Sequence, residues 1–216
     1  AMSGAMSGGP LRLLFSGADW HRKNLALVLE IHHELRRRGL DSQLHIAGTR
    51  RHLPIVDPAD PTVHVEGFFD TNNALGRADY SALFQSAHFF VMPTLAECFG
   101  IVFGEAASHG VPSLAYDTGG VASAVIDGQS GRLFAPGTGA HDFADVIEAA
   151  WRDQTVWRQM ARSAWQTWQT RWHRDVLARQ LAGHIEDVTG IAPGTAHLAD
   201  FAAGPDLRQS RHGSYS

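Results

Sequence analysis

Two glutamates and a lysine are the residues most able to do chemistry in this chain. Glu97 and Glu105 stand with seven residues between them in Pro93-Thr-Leu-Ala-Glu-Cys-Phe-Gly-Ile-Val-Phe-Gly-Glu105. The run before them, His88-Phe-Phe-Val-Met92, reads as a buried strand, and Ile101 to His109 reads as a helix that stops at Gly110. The stretch is therefore a strand–loop–helix junction at the carboxyl edge of a sheet, where open α/β sheets bind ligands. Free N–H groups at Phe99, Gly100 and Ile101 would favour an anion. Glu105 lies six residues past Phe99, about 9 Å along the axis at ~1.5 Å per residue. A phosphate at the helix start leaves Glu105 placed to accept from two ribose hydroxyls, and leaves Glu97 beside whatever the phosphates carry. Gly100 and Gly104 remove side chains where a ligand nears the backbone.

Positive charge for a diphosphate comes from the first strand's loop. Leu11 to Ser16 is an apolar run that stops at Gly17, and Arg22-Lys23 follow in the loop. A lysine there reaches over the sheet edge as a point charge toward the same crevice. Gly119-Gly120 opens a short helix at the same edge, where backbone N–H groups can approach a ligand. Gly67-Phe68-Phe69 follows the third strand, and Phe68 is either a cover for a base or an ordinary core residue.

The pattern Glu97-x-Phe99-Gly100-x4-Glu105, followed by Gly110-x-Pro112, resembles the Glu-x7-Glu signature of retaining glycosyltransferases of family 4, which have two Rossmann-like domains in the GT-B architecture. The resemblance implies that Glu105 holds the donor ribose, that Glu97 lies by the donor sugar, and that Lys23 contacts the donor diphosphate. Glu97, Lys23 and Arg22 are then the catalytic group. Gly17, Cys98, Phe99, Gly100, Ile101, Glu105, Phe68, Gly119 and Gly120 bind the donor. The family's usual arginine after the first glycine is replaced by Ala18, for which Arg22 is the candidate substitute. Its usual Pro-Glu after the Gly-Gly turn is replaced by Ala122-Ser123.

The elements that must carry these residues alternate along the chain. A helix is expected from Asn24 to Arg38, with Leu25, Val28, Leu29 and Leu35 on one face. Its Arg36-Arg-Arg38 end complements the helix dipole, and Gly39 suits the position after the cap. Strands are expected at 43–47, 62–66, 88–92, 111–116 and 132–134, and helices at 79–87, 142–151, 156–170 and 174–188. Regular alternation argues for a parallel sheet covered on both faces, an α/β Rossmann-like domain spanning 11–190. The Ala-Met-Ser-Gly repeat of residues 1–10 reads as a leftover of cloning or a linker, and the Gly-, Ala-, Pro- and Ser-rich 191–216 as a disordered tail.

Bulk properties narrow the partners. A net charge of −4 makes no case for nucleic acid. No apolar run approaches the ~18–20 residues of a membrane span. One cysteine excludes an internal disulfide framework and fits a reducing cytosol. Cys98 itself reads as a small filler whose backbone belongs to the donor loop. Thirteen histidines show no metal-ligand spacing, so neither a metal nor another cofactor is expected. Trp157, Ala161, Ala164, Trp168 and Trp172 form a helical packing stripe.

The resemblance covers 11–188 and corresponds to the donor-binding, C-terminal half of such enzymes. It implies a fragment, a truncated form or one subunit of a split enzyme. The acceptor (a sugar, lipid or small molecule) then belongs to an N-terminal domain or partner subunit, with peripheral membrane association open for the full enzyme. The competing readings are a non-catalytic nucleotide-sugar-binding or regulatory module and a nucleotide-sugar epimerase. A dinucleotide dehydrogenase is disfavoured because no Gly-x-Gly-x-x-Gly follows the first strand.

Overall fold

The computed structural model describes residues 9–50 and 52–190. Two stretches expected to be linker and tail, 1–8 and 191–216, lie outside the described residues. The chain forms two compact units, Ala1–Trp168 and Gln169–Ser216.

The first unit holds six parallel strands: β1 (Leu11–Ser16), β2 (Ser42–Ala47), β3 (Val63–Gly67), β4 (Phe89–Val91), β5 (Ser113–Tyr116) and β6 (Gly131–Phe134). Their spatial order is β3-β2-β1-β4-β5-β6. The chain thus runs outward to one edge, returns to the centre, and runs outward to the other. The reversal point lies between β1 and β4. β1 pairs with β2 along its whole length, from Leu11↔Ser42 to Ser16↔Ala47. With β4 it pairs only at Leu13↔Phe89 and Leu14↔Phe90. Beyond those positions the two strand ends part and a crevice opens.

Helices α1 (Leu25–Arg37), α2 (Ala74–Ser86), α3 (Ile101–Ser108), α4 (Val121–Ala124), α5 (Ala140–Arg152) and α6 (Gln154–Thr167) complete this unit. Right-handed crossovers put α1 and α3 on opposite faces, because one leads outward from β1 and the other from β4. α1 packs on α5, and α3 on α6. Phe15, Phe89, Phe90, Phe103 and Phe143 are fully buried between the layers. At ~25 cal/mol per Å² of apolar surface, each such ring is worth a few kcal/mol of burial.

The Arg36-Arg-Arg38 turn does more than complement a dipole. Arg38 donates to Glu34 at 2.7 Å, to Asp145 at 2.6 Å and to Glu148 at 3.1 Å, so it clamps α1 to α5. α2 begins five residues before the expected 79. Asn73 caps it by accepting from the Gly76 N–H at 2.8 Å, and Gly76 fits because a Cβ there would lie 2.2 Å from the Asp70 carbonyl. That extra turn decides where Tyr80 sits. The expected 156–170 helix is α only to Thr167, and a π-turn covers Trp168–Trp172. Within the stripe Ala161 and Ala164 are buried, and Trp157 Nε1 donates to the His88 carbonyl at 2.9 Å.

The second unit contains α7 (Arg174–Thr189), closed by Gly190 in the left-handed region. Leu177, Leu181, Ile185 and Val188 lie exposed along it.

Candidate active site

Two strand ends meet the crevice with glycines, and both need to be glycine for steric reasons. A Cβ on Gly17 would lie 2.9 Å from Lys23 Cγ, so the missing side chain lets the lysine stem cross the loop. Gly48 has φ +89° and a Cβ there would lie 2.9 Å from the Gly17 nitrogen. The β1 loop and β2 loop can therefore touch backbone to backbone. Asn24 follows Lys23 with φ +59°, a left-handed conformation that asparagine tolerates better than most residues.

The β1 and β4 loops are stitched across the crevice. Leu95 N–H donates to the Arg22 carbonyl at 2.9 Å, and Arg22 Nη1 donates to the Ala96 carbonyl at 2.6 Å. Arg22 also pairs with Asp19 at 3.3 Å and approaches Glu97 at 3.7 Å. Its guanidinium is thus largely engaged in holding the two loops together.

Lys23 and Glu97 form a direct ion pair across the crevice. The two side chains are only 11% and 12% exposed. Burial pushes the Glu97 carboxyl up, but the Lys23 hydrogen bond and charge, then Arg22, carry it net below its ordinary value. Glu97 is therefore a carboxylate at neutral pH.

α3 starts at Gly100, which has φ +70° and whose Cβ would lie 2.6 Å from the Phe103 ring. Only glycine meets both demands. The N–H groups of Gly100 and Ile101 have no acceptor among the described residues and face the cleft. Gly119 and Gly120 serve this loop from behind. A Cβ on Gly119 would lie 1.8 Å from the Glu97 carbonyl, and one on Gly120 would lie 2.2 Å from the Cys98 carbonyl. Gly120 N–H donates to that Glu97 carbonyl at 3.3 Å. The glycine pair seats the Glu97–Phe99 backbone. Cys98 is exposed in the same loop, and its N–H donates to Glu97 Oε1 at 3.2 Å.

Glu105 lies one helix turn inward, half-buried. Burial pushes its carboxyl above the ordinary value, and a hydrogen bond from Tyr80 opposes that shift. The Tyr80 hydroxyl donates to Glu105 Oε2 at 3.3 Å and lies 2.9 Å from Ser16 Oγ. Tyr80 was not among the residues the sequence singled out. Its only local signal was its place four residues before Phe84 on an amphipathic turn.

The resulting cleft measures about 440 Å³ and is lined by Gly17, Lys23, Glu97, the 98–102 segment, Ser16 and Tyr80. A second cavity of about 490 Å³ adjoins it, sharing Ala18 and Gly48. Phe68 lines this second cavity, and the Arg50 guanidinium lies 3.7 Å above its ring. Phe68 is exposed, so it is not a core residue. All the sequence-singled residues thus border one of two adjoining cavities or directly support a wall. Among the described residues one carboxylate–histidine group has metal-ligand spacing, His141-Asp142-Asp145; it is exposed, away from the cleft, and Asp145 is paired with Arg38. Among the described residues no helix is long and apolar enough to cross a membrane.

Residues 10–153 match the family model described as glycosyl transferases group 1. The chain belongs to that family. Within it, the chain is 31% identical over 161 residues to the D-inositol 3-phosphate glycosyltransferase of Arthrobacter sp. (strain FB24), an alignment covering 72% of this chain and 38% of that protein. It is 30% identical over 172 residues to the glycogen synthase of Mycobacterium tuberculosis, covering 75% and 40%. The chain thus spans about two fifths of the length of these relatives. Among solved structures, HepE of Anabaena in complex with UDP-glucose superposes with a TM-score of 0.64 at 18% identity, covering 82% of this chain and 49% of that one. Sucrose-phosphate synthase from Thermosynechococcus elongatus gives 0.66 at 21%, covering 84% and 46%. These likenesses agree with the Rossmann-like parallel sheet of the GT-B glycosyltransferases.

Proposed function

We propose that this chain is the nucleotide-sugar-binding half of a retaining glycosyltransferase. The observation that carries the reading is the convergence of Lys23, Glu97 and the α3 start on one cleft at the β1/β4 reversal, with Glu105 bonded to the cleft-lining Tyr80, inside the family match. The diphosphate takes Lys23 and the N–H groups at Gly100 and Ile101. These draw off leaving-group charge, so the reading gives no metal a role. Ribose hydroxyls donate to Glu105, and sugar hydroxyls to Glu97. The base extends into the adjoining cavity, where Phe68 offers an aromatic face and Arg50 a set of donors. HepE, solved with UDP-glucose, supports a UDP-sugar as the first donor to try. Acceptor binding belongs to a further domain or partner subunit, and the single cysteine suits a reducing cytosol.

The test is a titration of the chain with UDP-, GDP- and ADP-sugars by thermal shift, followed by calorimetry with the ribonucleotide and its 2′,3′-dideoxy analogue. A stabilising UDP-sugar is expected, with preference for the ribonucleotide that Glu105→Gln abolishes. A Glu105→Gln variant that keeps wild-type affinity and preference overturns the ribose assignment.

One observation favours a second reading, a binding module without turnover. Ala18 stands in the cleft where the family places an arginine, which leaves fewer cations on the leaving group. Measuring sugar transfer after supplying a matching acceptor half separates the two, since the module would bind donor and release it unchanged.

A further inference from the structure

Glu105 does not stand alone: it is bonded to Tyr80 in the cleft wall. A phenol has one hydrogen; with Glu105 ionised and Tyr80 donating to its Oε2, the serine is the donor in the 2.9 Å contact with Ser16. The chain then runs from Ser16 to Tyr80 to Glu105. It links the end of β1, the middle of α2 and the second turn of α3. The Tyr80 ring is held on both sides, edge-on to Phe84 at 5.1 Å and tilted against Phe69 at 5.7 Å. Phe84 is itself buried. The hydroxyl thus has little freedom to swing away. Glu105 Oε1 has no hydrogen-bond partner among the described residues, so one carboxylate oxygen is tied to Tyr80, which lines the cleft, and the other is left unpaired.

We propose that Tyr80 is a positioning residue that fixes the Glu105 carboxylate for a ribose diol and so sets the preference for ribonucleotides over deoxynucleotides. The proposal rests on the donor reading above. A glutamate on a helix has three side-chain torsions, and a free carboxylate spends much of its time turned to water. Tying Oε2 to a locked phenol removes that freedom before the ligand arrives, so less ordering is left for binding. The tied oxygen keeps its remaining lone-pair site, and the unpaired oxygen takes the other hydroxyl. Tyr80 contributes a second effect through charge. The groups acting on Glu105 are Tyr80 from α2 and His109 from its own helix. Burial opposes ionisation of Glu105, and the phenol's donation favours it.

The experiment compares wild type, Tyr80→Phe and Glu105→Gln by calorimetry with UDP and 2′,3′-dideoxy-UDP between pH 5 and pH 8. Phenylalanine keeps the ring contacts with Phe84 and Phe69 and removes only the hydroxyl. Tyr80→Phe is expected to weaken UDP by about threefold to tenfold, the cost of ordering one freed long side chain on binding, while leaving the dideoxy analogue within about twofold. The ribose preference should then fall short of wild type yet exceed that of Glu105→Gln. Protonation of the UDP phosphate gives every variant an acid limb; the part that Glu105 adds to it should move to higher pH in Tyr80→Phe, because Glu105 loses a donor, and should be missing in Glu105→Gln. Equal losses for both ligands would mean packing alone and would overturn the proposal. So would an unchanged ribose preference in Tyr80→Phe, and if Glu105→Gln still abolishes it the donor reading survives that failure. A wild type that does not prefer UDP to the dideoxy analogue overturns both.

Discussion

On the donor reading Glu97 competes with the diphosphate for Lys23, and that makes Glu97→Gln the most informative single change. In the empty cleft the ammonium rests on the carboxylate, and both side chains are nearly nine-tenths covered. A bound diphosphate takes the ammonium away and adds its own negative charge beside Glu97. At ~4 Å and an effective dielectric of ~20 the Coulomb attraction alone is ~4 kcal/mol, most of it offset by desolvation. The net value lies between the ~1 kcal/mol of an exposed pair and the ~3–5 kcal/mol for breaking a buried one. Taking ~1.5 kcal/mol, glutamine should tighten nucleoside diphosphate binding about tenfold. The intact nucleotide-sugar gains the same relief but loses a charged acceptor for a sugar hydroxyl, worth ~1.5–3 kcal/mol. Its advantage over the bare diphosphate should therefore fall by about tenfold to a hundredfold. Calorimetry with UDP and the UDP-sugar reads both numbers. In a Lys23→Met background the gain from Glu97→Gln should shrink, since only repulsion is left to relieve. A Glu97→Gln protein that binds UDP no more tightly than wild type refutes the reasoning.

Lys23→Ala should weaken UDP more than uridine, since the lysine's partner is phosphate, and equal losses in calorimetry would count against the assignment. Gly119→Ala should lower both thermal stability and donor affinity, because a Cβ 1.8 Å from the Glu97 carbonyl must displace the donor loop; a variant with wild-type melting temperature and UDP affinity would contradict it. Buried His32, between Ser42 and Thr62, is pushed down to about 4 chiefly by burial and secondarily by His33. With a folded pKa below the unfolded ~6.5, its neutral form stabilises the fold fully above that value, and ~3 kcal/mol is lost as pH falls from about 6.5 to 4. Urea unfolding at pH 7 and pH 5 reads that slope, and a His32→Asn variant that keeps the same slope would assign it elsewhere.

The strands were legible because their signals are local. Alternation or an apolar run, closed by Gly17, Gly48 or Gly67, gave each β element to within two residues. The site was legible by residue type: a lysine in one loop, a glutamate in the next, and a helix start between them. What the sequence hid are contacts between residues far apart in the chain. Gly119 reads as a ligand cradle, yet the atom that forbids its side chain is the carbonyl of Glu97, twenty-two residues back. Arg38 reads as a dipole partner, yet it holds Asp145 and Glu148 on another helix. Tyr80 was invisible because α2 was expected to begin at 79, which would have left the tyrosine in a fraying first turn. Asn73 and Gly76 move that start, and with it the phenol, into a rigid part of the helix.

Ala18 changes how the remaining charges share the work. A side chain of arginine length at that position would stand where the two cavities adjoin, since Ala18 lines both. Alanine leaves them continuous and removes a cation. Arg22 does not simply replace it, because its guanidinium already serves Asp19 and the Ala96 carbonyl. Moving Arg22 onto a phosphate would remove its bond to the Ala96 carbonyl, one of the stitches between the β1 and β4 loops, and leave the Leu95–Arg22 backbone bond in place. The charge available without that cost is Lys23 and the α3 start. Both border the cleft with Glu97, and the carboxylate already holds one of them. On the proposed reading, donor binding in this chain turns on a single exchange, carboxylate for phosphate at one ammonium, and the preference between bare diphosphate and nucleotide-sugar follows from whether the ligand also brings hydroxyls to the carboxylate it displaces.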